Sequence, residues 1–151
     1  MNYCKANLLD LLAIEQLEKD CFPTEAFNRR LIKNLLVSAN TAIFKATETT
    51  GKIIGDIVGT TKKENSTSVG RIFSLCVLAG HRKNGVATRL VQLLEEEFCL
   101  RDIKKIRLEV STLNNVARVF YERLGYQVTS GILPHFYHDG TDACVMIKRL
   151  L

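Results

Sequence analysis

The chain has 151 residues, of which 46% are hydrophobic, and carries a formal net charge of +5. This length and apolar content suit one domain over residues 1–151 with a sizeable core, and they exclude a disordered chain. No apolar run is long enough to span a bilayer, and the first five residues lack the apolar core of a signal peptide. We therefore expect a cytoplasmic protein without membrane contact.

The positive charge favours an anionic partner. The lysines and arginines of the chain come in short scattered pairs without interleaved aromatic residues. This pattern favours a phosphorylated cofactor over direct nucleic-acid binding. The five cysteines and three histidines show no metal-ligand spacing. We expect reduced thiols and no metal.

The first half of the chain predicts one strand, two helices and three antiparallel strands. Residues 3–7 suit a short strand, and apolar residues then recur at helical intervals until Pro23. A second helix carries Phe27, Leu31, Leu35 and Leu36. Period-two patterns separated by polar turns predict strands over residues 41–47, 52–61 and 68–77.

The second half predicts a helix, a strand, a helix and two strands. The first helix begins near Gly85, and the strand over residues 105–111 alternates apolar and charged side chains. The next helix, from about Asn115 to Leu124, ends at Gly125, which suits a left-handed cap. Strands over residues 126–132 and 142–148 complete the order βααβββαβαββ, which belongs to the α/β (α+β) class.

The turn before the first of these helices is suited to bind a diphosphate. It joins an apolar strand to a helix, so the first amides of that helix are unpaired and the positive end of its dipole lies behind them. Gly85 permits close approach of a ligand, Ala87 is small, and Arg82 and Lys83 add positive charge. The alternative is an ordinary loop with a solvated basic rim. The spacing fits neither the dinucleotide fingerprint nor the Walker pattern.

Several motifs together resemble the GNAT superfamily of acyl-CoA-dependent N-acyltransferases. They are the order of elements, the Arg-x-x-Gly-x-Ala turn, the strand Leu108-Glu109-Val110 and the helix end 120–126. The resemblance covers nearly the whole chain. Within the superfamily, the chain is most similar to the ribosomal-protein-alanine N-terminal acetyltransferases. The segments that carry this likeness are Cys21-Phe22-Pro23, Glu109 to Asn114, and His135-Phe136-Tyr137 before Asp142-Ala143.

The resemblance implies a fold with a mixed, mostly antiparallel sheet and acetyl-coenzyme A across its open end. The diphosphate would lie on the backbone of Arg82, Lys83, Asn84, Gly85, Val86, Ala87 and Thr88. The pantetheine arm would run beside Leu75, Cys76 and Val77 like an added strand. The side chain of Asn114 would contact the cofactor, although an Asn at this point equally suits a helix N-cap.

The resemblance also implies catalytic roles for Glu109 and Tyr121. Glu109 would be the base that collects a proton from the acceptor amine, and Tyr121 the acid beside the leaving thiolate. Strand alternation places Glu109 on the face opposite Leu108, where a solvated carboxylate paired with a lysine or arginine is the alternative. For Tyr121 the alternative is packing in the core beside Phe120. Cys76 could accept acetyl, but we favour a small core residue and direct transfer.

The acceptor side is expected to include His135, Phe136, Tyr137 and His138, where the family carries a Tyr-Tyr pair. Phe136 replaces the first tyrosine, a Trp usual after Pro23 is absent, and Ala79-Gly80 lacks the usual Pro. We predict an N-acetyltransferase that moves acetyl to a primary amine, foremost the N-terminal α-amino group of a protein, with a ribosomal protein among the candidates. The alternatives are a small amine, a lysine side chain, or a non-catalytic acyl-CoA-binding module.

Overall fold

The computed structural model describes residues 1–150 and has the predicted order of strands and helices. The strands are β1 (Asn2–Lys5), β2 (Thr41–Thr47), β3 (Ile53–Glu64), β4 (Thr67–Val77), β5 (Lys105–Ser111), β6 (Gln127–Leu133) and β7 (Ala143–Arg149). The α-helices are α1 (Leu11–Cys21), α2 (Arg29–Val37), α3 (Val86–Leu100) and α4 (Asn115–Arg123). Two short 3₁₀ turns, Leu8–Asp10 and Ala79–His81, precede α1 and follow β4.

The seven strands form one sheet in the order β1-β2-β3-β4-β5-β7-β6. Neighbouring strands are antiparallel except β4 and β5, which run parallel. That parallel pairing joins only Gly70 to Ile106 and Arg71 to Arg107. Beyond these two pairs β4 and β5 separate, and the sheet has a gap at its centre.

Each face of the sheet is covered by its own apolar core. Helices α3 and α4 pack on one face, with Leu90, Leu94 and Phe98 fully buried. Helices α1 and α2 cover the other face through side chains such as Ile14 and Ile32. The approach of α3 is close at Gly59 and Gly70, where an added Cβ would lie 2.5 Å from a Leu94 methyl carbon and 2.6 Å from the Phe98 ring.

A bulge in β4 decides which side chains face which core. Val58 pairs with Ser74 but Gly59 pairs with Ile72, so Phe73 is an extra residue in β4. A bulge of this kind reverses the alternation that follows it. Ile72 therefore lies in the α3 core, whereas Cys76, also even-numbered, lies in the α1 core.

The prediction that Phe27 lies within the second helix is wrong. Asn28 caps α2, and its Oδ1 accepts a hydrogen bond from Leu31 N at 2.8 Å, so the helix begins at Arg29. An extended Asn cap sets a boundary that apolar periodicity alone does not reveal. Phe27 instead stacks on Phe73 with ring centroids 4.9 Å apart.

None of the helices within residues 1–150 has the length and apolar character needed to cross a membrane.

Candidate active site

The gap between β4 and β5 opens into a cavity of about 440 Å³. Its walls come from both strands, from α4, from the segment around the end of α1 and from the loop between β6 and β7. Six predicted site residues line it: Leu75, Glu109, Asn114, Tyr121, Phe136 and Tyr137. Cys76, Val77 and the turn 82–88 do not.

Glu109 occupies the cavity wall in an ion pair with Arg71. Arg71 Nη2 contacts Glu109 Oε1, while Oε2 is 3.9 Å from Arg107 Nε and has no hydrogen-bond partner within residues 1–150. The Glu109 side chain is only 4% exposed. The solvated carboxylate considered as an alternative is thus wrong, although the expected pairing with an arginine is present. The separation of β4 and β5 places this side chain in the cavity.

Arg71 is a cavity residue that the sequence motifs did not identify. Its guanidinium lies 4.9 Å from the centre of the Phe73 ring, in cation–π contact, and its Nε is buried with no hydrogen-bond partner in the part of the chain that the structure describes. Its position opposite Arg107 in the last β4–β5 pair brings it to the point where the strands part. Only the parallel pairing of β4 with β5, which is not visible in the sequence, brings it to Glu109.

Tyr121 belongs to both the core and the cavity. It is buried and packs edge-to-face on Phe120 and Tyr126, with centroids 5.1 and 5.6 Å away. The core packing considered as an alternative is therefore present, and it coexists with a place in the cavity wall. Burial raises the pKa of the Tyr121 phenol well above its ordinary value, so the group stays protonated at neutral pH.

Asn114 is the N-cap of α4, which is the role that the sequence analysis gave as the alternative to cofactor contact. Its Oδ1 accepts a hydrogen bond from Ala117 N at 3.0 Å. The residue is exposed and lines the cavity, so its side-chain NH₂ group remains available on that side. Capping and ligand contact are compatible here because they use different atoms.

The turn before α3 has the unpaired amides expected of an anion cradle. Gly85 is the N-cap with φ +80°, and no side chain caps the helix. The first main-chain bond runs from Arg89 N to Gly85 O at 3.0 Å, so the amides of Val86, Ala87 and Thr88 precede the helical ladder. Arg82 is exposed, as in the solvated basic rim considered as the alternative, and its Nε donates to Val77 O at 2.9 Å, which ties the turn to β4.

A buried polar cluster lies behind β4, on the face covered by α1. Its members are Glu18, Asp56, Ser74 and Cys76. Ser74 Oγ donates to Glu18 Oε1 at 2.9 Å, and Cys76 Sγ lies 3.0 Å from Asp56 Oδ1 and 3.8 Å from Glu18 Oε1. Burial raises the pKa of both carboxyl groups. A glutamate on the apolar side of α1, one turn after Ile14, was the sequence signal for this cluster.

Cys76 is buried, as expected, but it is part of this polar cluster rather than purely apolar packing. Hydrogen bonding with Cys21, followed by burial, raises the pKa of the Cys76 thiol well above its ordinary value. A protonated thiol is a poor nucleophile. This environment does not favour acetyl transfer through Cys76, so only its main chain remains a candidate for cofactor contact.

The loop between β6 and β7 is tied to the segment that follows α1. His138 N donates to Glu25 Oε1 at 2.6 Å, and His138 Nδ1 is 3.3 Å from Glu25 Oε2. Phe136 and Tyr137 pack edge-to-face at 5.0 Å and line the cavity. His135 and His138 were expected on the acceptor side but do not line it. His138 instead joins the two segments that flank the cavity.

The Acetyltransferase (GNAT) family model matches residues 10–126, and the chain belongs to this family. It is an N-acetyltransferase that uses acetyl-coenzyme A, as the sequence predicted. An uncharacterized N-acetyltransferase of Methanocaldococcus jannaschii is 35% identical over 141 residues, which cover 93% of this chain and 86% of the relative. The N-terminal acetyltransferase A complex catalytic subunit NAA10 of Arabidopsis thaliana is 29% identical over 148 residues, covering 97% and 76%.

Solved structures show the same fold. The NatB acetyltransferase complex bound to CoA and MES contains a chain with a TM-score of 0.87 and 26% identity, and the match covers 100% of both chains. The ribosomal-protein-S18-alanine N-acetyltransferase of Escherichia coli has a TM-score of 0.82 at 21% identity, covering 98% of this chain and 92% of that one. The likeness to the ribosomal enzyme is one of fold.

Proposed function

We propose that this enzyme transfers acetyl from acetyl-coenzyme A to the free α-amino group of a peptide or protein N-terminus. The observation that carries the proposal is the cavity at the β4–β5 gap, whose walls present both Glu109 and Tyr121. The 29% sequence identity with the NAA10 subunit, which extends over 97% of this chain, supports this class of acceptor. The chain's free cysteines agree with the cytoplasmic location that we also propose.

The cofactor would bind across the open end of the sheet. The amides of Val86, Ala87 and Thr88, with the backbone of the preceding residues Arg82 to Gly85, would hold the diphosphate at the positive end of the α3 dipole. The main chain of Leu75, Cys76 and Val77 would pair with the pantetheine arm, because β5 has left this edge of β4. The Asn114 side-chain NH₂ would contact the same arm. A backbone amide of β4 would stabilise the oxyanion.

The side chains that line the cavity would each have a separate role in the reaction. Glu109 would take a proton from the nitrogen as the new C–N bond forms, and its ion pair with Arg71 holds the carboxylate in place. The protonated Tyr121 hydroxyl would donate to the departing thiolate. Phe136 and Tyr137 would contact the acceptor, with only Tyr137 able to hydrogen-bond through its side chain.

The experiment that tests this proposal uses acetyl-coenzyme A with short peptides that have free N-termini, and the same peptides with blocked N-termini and an internal lysine. Thiol release gives the rate and mass spectrometry gives the product. We expect acetylation of the free N-termini only. Transfer to the blocked set would assign lysine as the acceptor instead, and no turnover with either set would contradict the proposal. A peptide with the N-terminal sequence of a ribosomal protein tests that acceptor directly.

A further inference from the structure

Glu18 is a buried glutamate for which the roles described above give no purpose. It lies on α1 with 1% exposure, and it reaches the cavity wall beside Ser74. Its partner in the acidic cluster, Asp56, does not line the cavity. Glu18 is therefore the carboxyl group through which the cluster meets the cavity.

The hydrogen bonds of Glu18 satisfy only one of its two buried carboxyl oxygens, so a purely structural role does not explain why this side chain is buried. Oε1 accepts from Ser74 Oγ at 2.9 Å and faces Cys76 Sγ at 3.8 Å, but Oε2 has no partner among the described residues. A buried carboxyl oxygen without a partner is destabilising, and native structures contain few of them. Because Glu18 is one of the residues that line the cavity, a molecule bound there could supply the missing partner.

The other carboxylates that line the cavity each have a partner. Glu109 Oε1 holds the Arg71 guanidinium, Glu25 accepts from the main chain of His138, and Asp139 accepts from Thr141 N. Of these groups only Glu109 also has a buried oxygen without a hydrogen bond among the described residues, and it is already assigned one proton. Yet acetylation of an ammonium group must remove two protons from the nitrogen, one before attack and one as the adduct collapses. Glu109 can take only one of these protons, so a second carboxylate in the cavity would serve the other.

We propose that Glu18 is a catalytic residue whose free Oε2 accepts the first proton from the ammonium group of the acceptor. This role rests on the proposed function, because it requires the acceptor amine in this cavity. Ser74 is a positioning residue, since its hydroxyl holds Oε1 while Oε2 has no partner among the described residues. The α-amino group of a peptide is partly protonated at neutral pH, with an ordinary pKa of about 8, so this step limits the supply of nucleophile.

The proton and electron balance of the transfer closes with these groups. The ammonium N–H bond breaks and its proton moves to Glu18, leaving the nitrogen with a lone pair. That pair forms the C–N bond to the thioester carbonyl carbon, and Glu109 takes the second proton. The C–S bond breaks with its electron pair on sulfur, which receives a proton from Tyr121. Glu109 returns its proton to Tyr121, and Glu18 releases one proton to solvent.

The surroundings of Glu18 suit a proton acceptor at neutral pH. Burial raises its pKa, which brings it nearer to that of the amine. The groups that face it are Asp56 from β3, Cys76 from β4 and Cys21 from the end of its own helix. Asp56 and Cys76 also have raised pKa values and favour the neutral form near pH 7.

The test compares Glu18→Gln with wild type in kcat/KM for a free N-terminal peptide between pH 6 and 9. We expect a loss of about tenfold at pH 7, because with an ordinary pKa of about 8 roughly a tenth of the amine is already free base there. The defect should nearly disappear at pH 9, where the amine is mostly free base. Affinity for coenzyme A should stay within twofold. The control Glu15→Gln removes another glutamate of α1 that binds Arg29 away from the cavity, and its activity should stay within threefold.

A structural role for Glu18 would lower activity by the same factor at every pH, and this result would overturn the proposal. So would Glu18→Gln activity within threefold of wild type. If Glu18→Gln does not fold, Ser74→Ala replaces it, with an expected loss that is again larger at pH 7 than at pH 9; a loss that is the same at both pH values would contradict the proposal. A wild-type enzyme that acetylates no free N-terminus contradicts the proposed function separately, and the same variants are then compared on the amine that it does acetylate.

Discussion

Arg71 and Glu109 meet at the point where β4 and β5 separate, Nη2 of the arginine contacting Oε1 of the glutamate. The pair spans the two strands that leave the gap in the sheet. It is held by the last β4–β5 pairing on one side and by the Phe73 ring on the other. The strand separation that opens the cavity thus also brings a guanidinium and a carboxylate to its wall.

Breaking this pair should destabilise the protein. Arg71→Met leaves Glu109 buried without its cation, and because the Arg71 side chain is 35% exposed we expect a loss of about 1–3 kcal/mol in the free energy of unfolding, less than for a fully buried pair. Urea unfolding of the variant and of wild type measures this difference in the free energy of unfolding. The double variant Arg71→Met with Glu109→Gln should recover part of the loss, since the uncompensated charge is gone. Strictly additive losses would show that the two side chains do not interact.

Tyr121→Phe should slow transfer without weakening cofactor binding. The change removes the hydroxyl that we assign to the leaving thiolate, and we expect kcat to fall about 10²-fold with an unchanged Kd for acetyl-coenzyme A. The matched control is Tyr126→Phe, because Tyr126 is also buried but donates to Glu95 at 2.8 Å. The control should lose about 1 kcal/mol of stability and retain its kcat. Equal kcat values for both variants would remove Tyr121 from the mechanism.

Gly85→Ala should weaken cofactor binding more than its effect on stability explains. Gly85 has φ +80°, where a side chain costs about 1 kcal/mol, but no atom of the described residues 1–150 would lie within 4 Å of its Cβ. Gly51→Ala is the matched control, with φ +90° and equally open surroundings in the β2–β3 turn. We expect similar stabilities for the two variants, and a Kd for coenzyme A raised more than tenfold only in Gly85→Ala. An unchanged Kd would place the diphosphate elsewhere.

Asp56 should make the protein less stable as pH rises. Its pKa in the folded state is raised by burial and then by the charge of Glu18, so the folded protein holds this proton more tightly than the unfolded chain. The free energy of unfolding should therefore fall from about pH 4 upward, by about 1.4 kcal/mol per pH unit, until the folded pKa is reached. Asp56→Asn should lose this slope and exceed wild type in stability at pH 8. Parallel pH profiles for the two proteins would contradict the assignment.

The order of elements and the motif residues were accessible from the sequence because both depend on local pattern. The period changed from helical to alternating where the helices and strands change, and Glu109, Asn114 and Tyr121 stood in recognisable spacings. All three line the cavity. Their contacts could not be predicted in the same way, because the Arg71–Glu109 pair depends on a parallel pairing between strands that are far apart in the sequence.

The polar cluster of Glu18, Asp56, Ser74 and Cys76 could not be predicted from the sequence, for a different physical reason. The extra residue at Phe73 reverses the alternation of β4 and directs Ser74 and Cys76 toward α1. Nothing in the local sequence marks that bulge. Glu18 lies on the apolar side of α1, but only the folded structure brings its carboxyl group together with Asp56 and Cys76.

The most direct test of the account is a crystal structure of this enzyme with a conjugate that joins coenzyme A to the α-amino nitrogen of a short peptide. We predict the diphosphate on the amides of Val86 to Thr88, the pantetheine arm along β4 in the gap, and the peptide nitrogen in the cavity between Glu18 and Glu109. A conjugate that leaves the gap empty, or a nitrogen beyond hydrogen-bond reach of both carboxyl groups even through a water molecule, would contradict it.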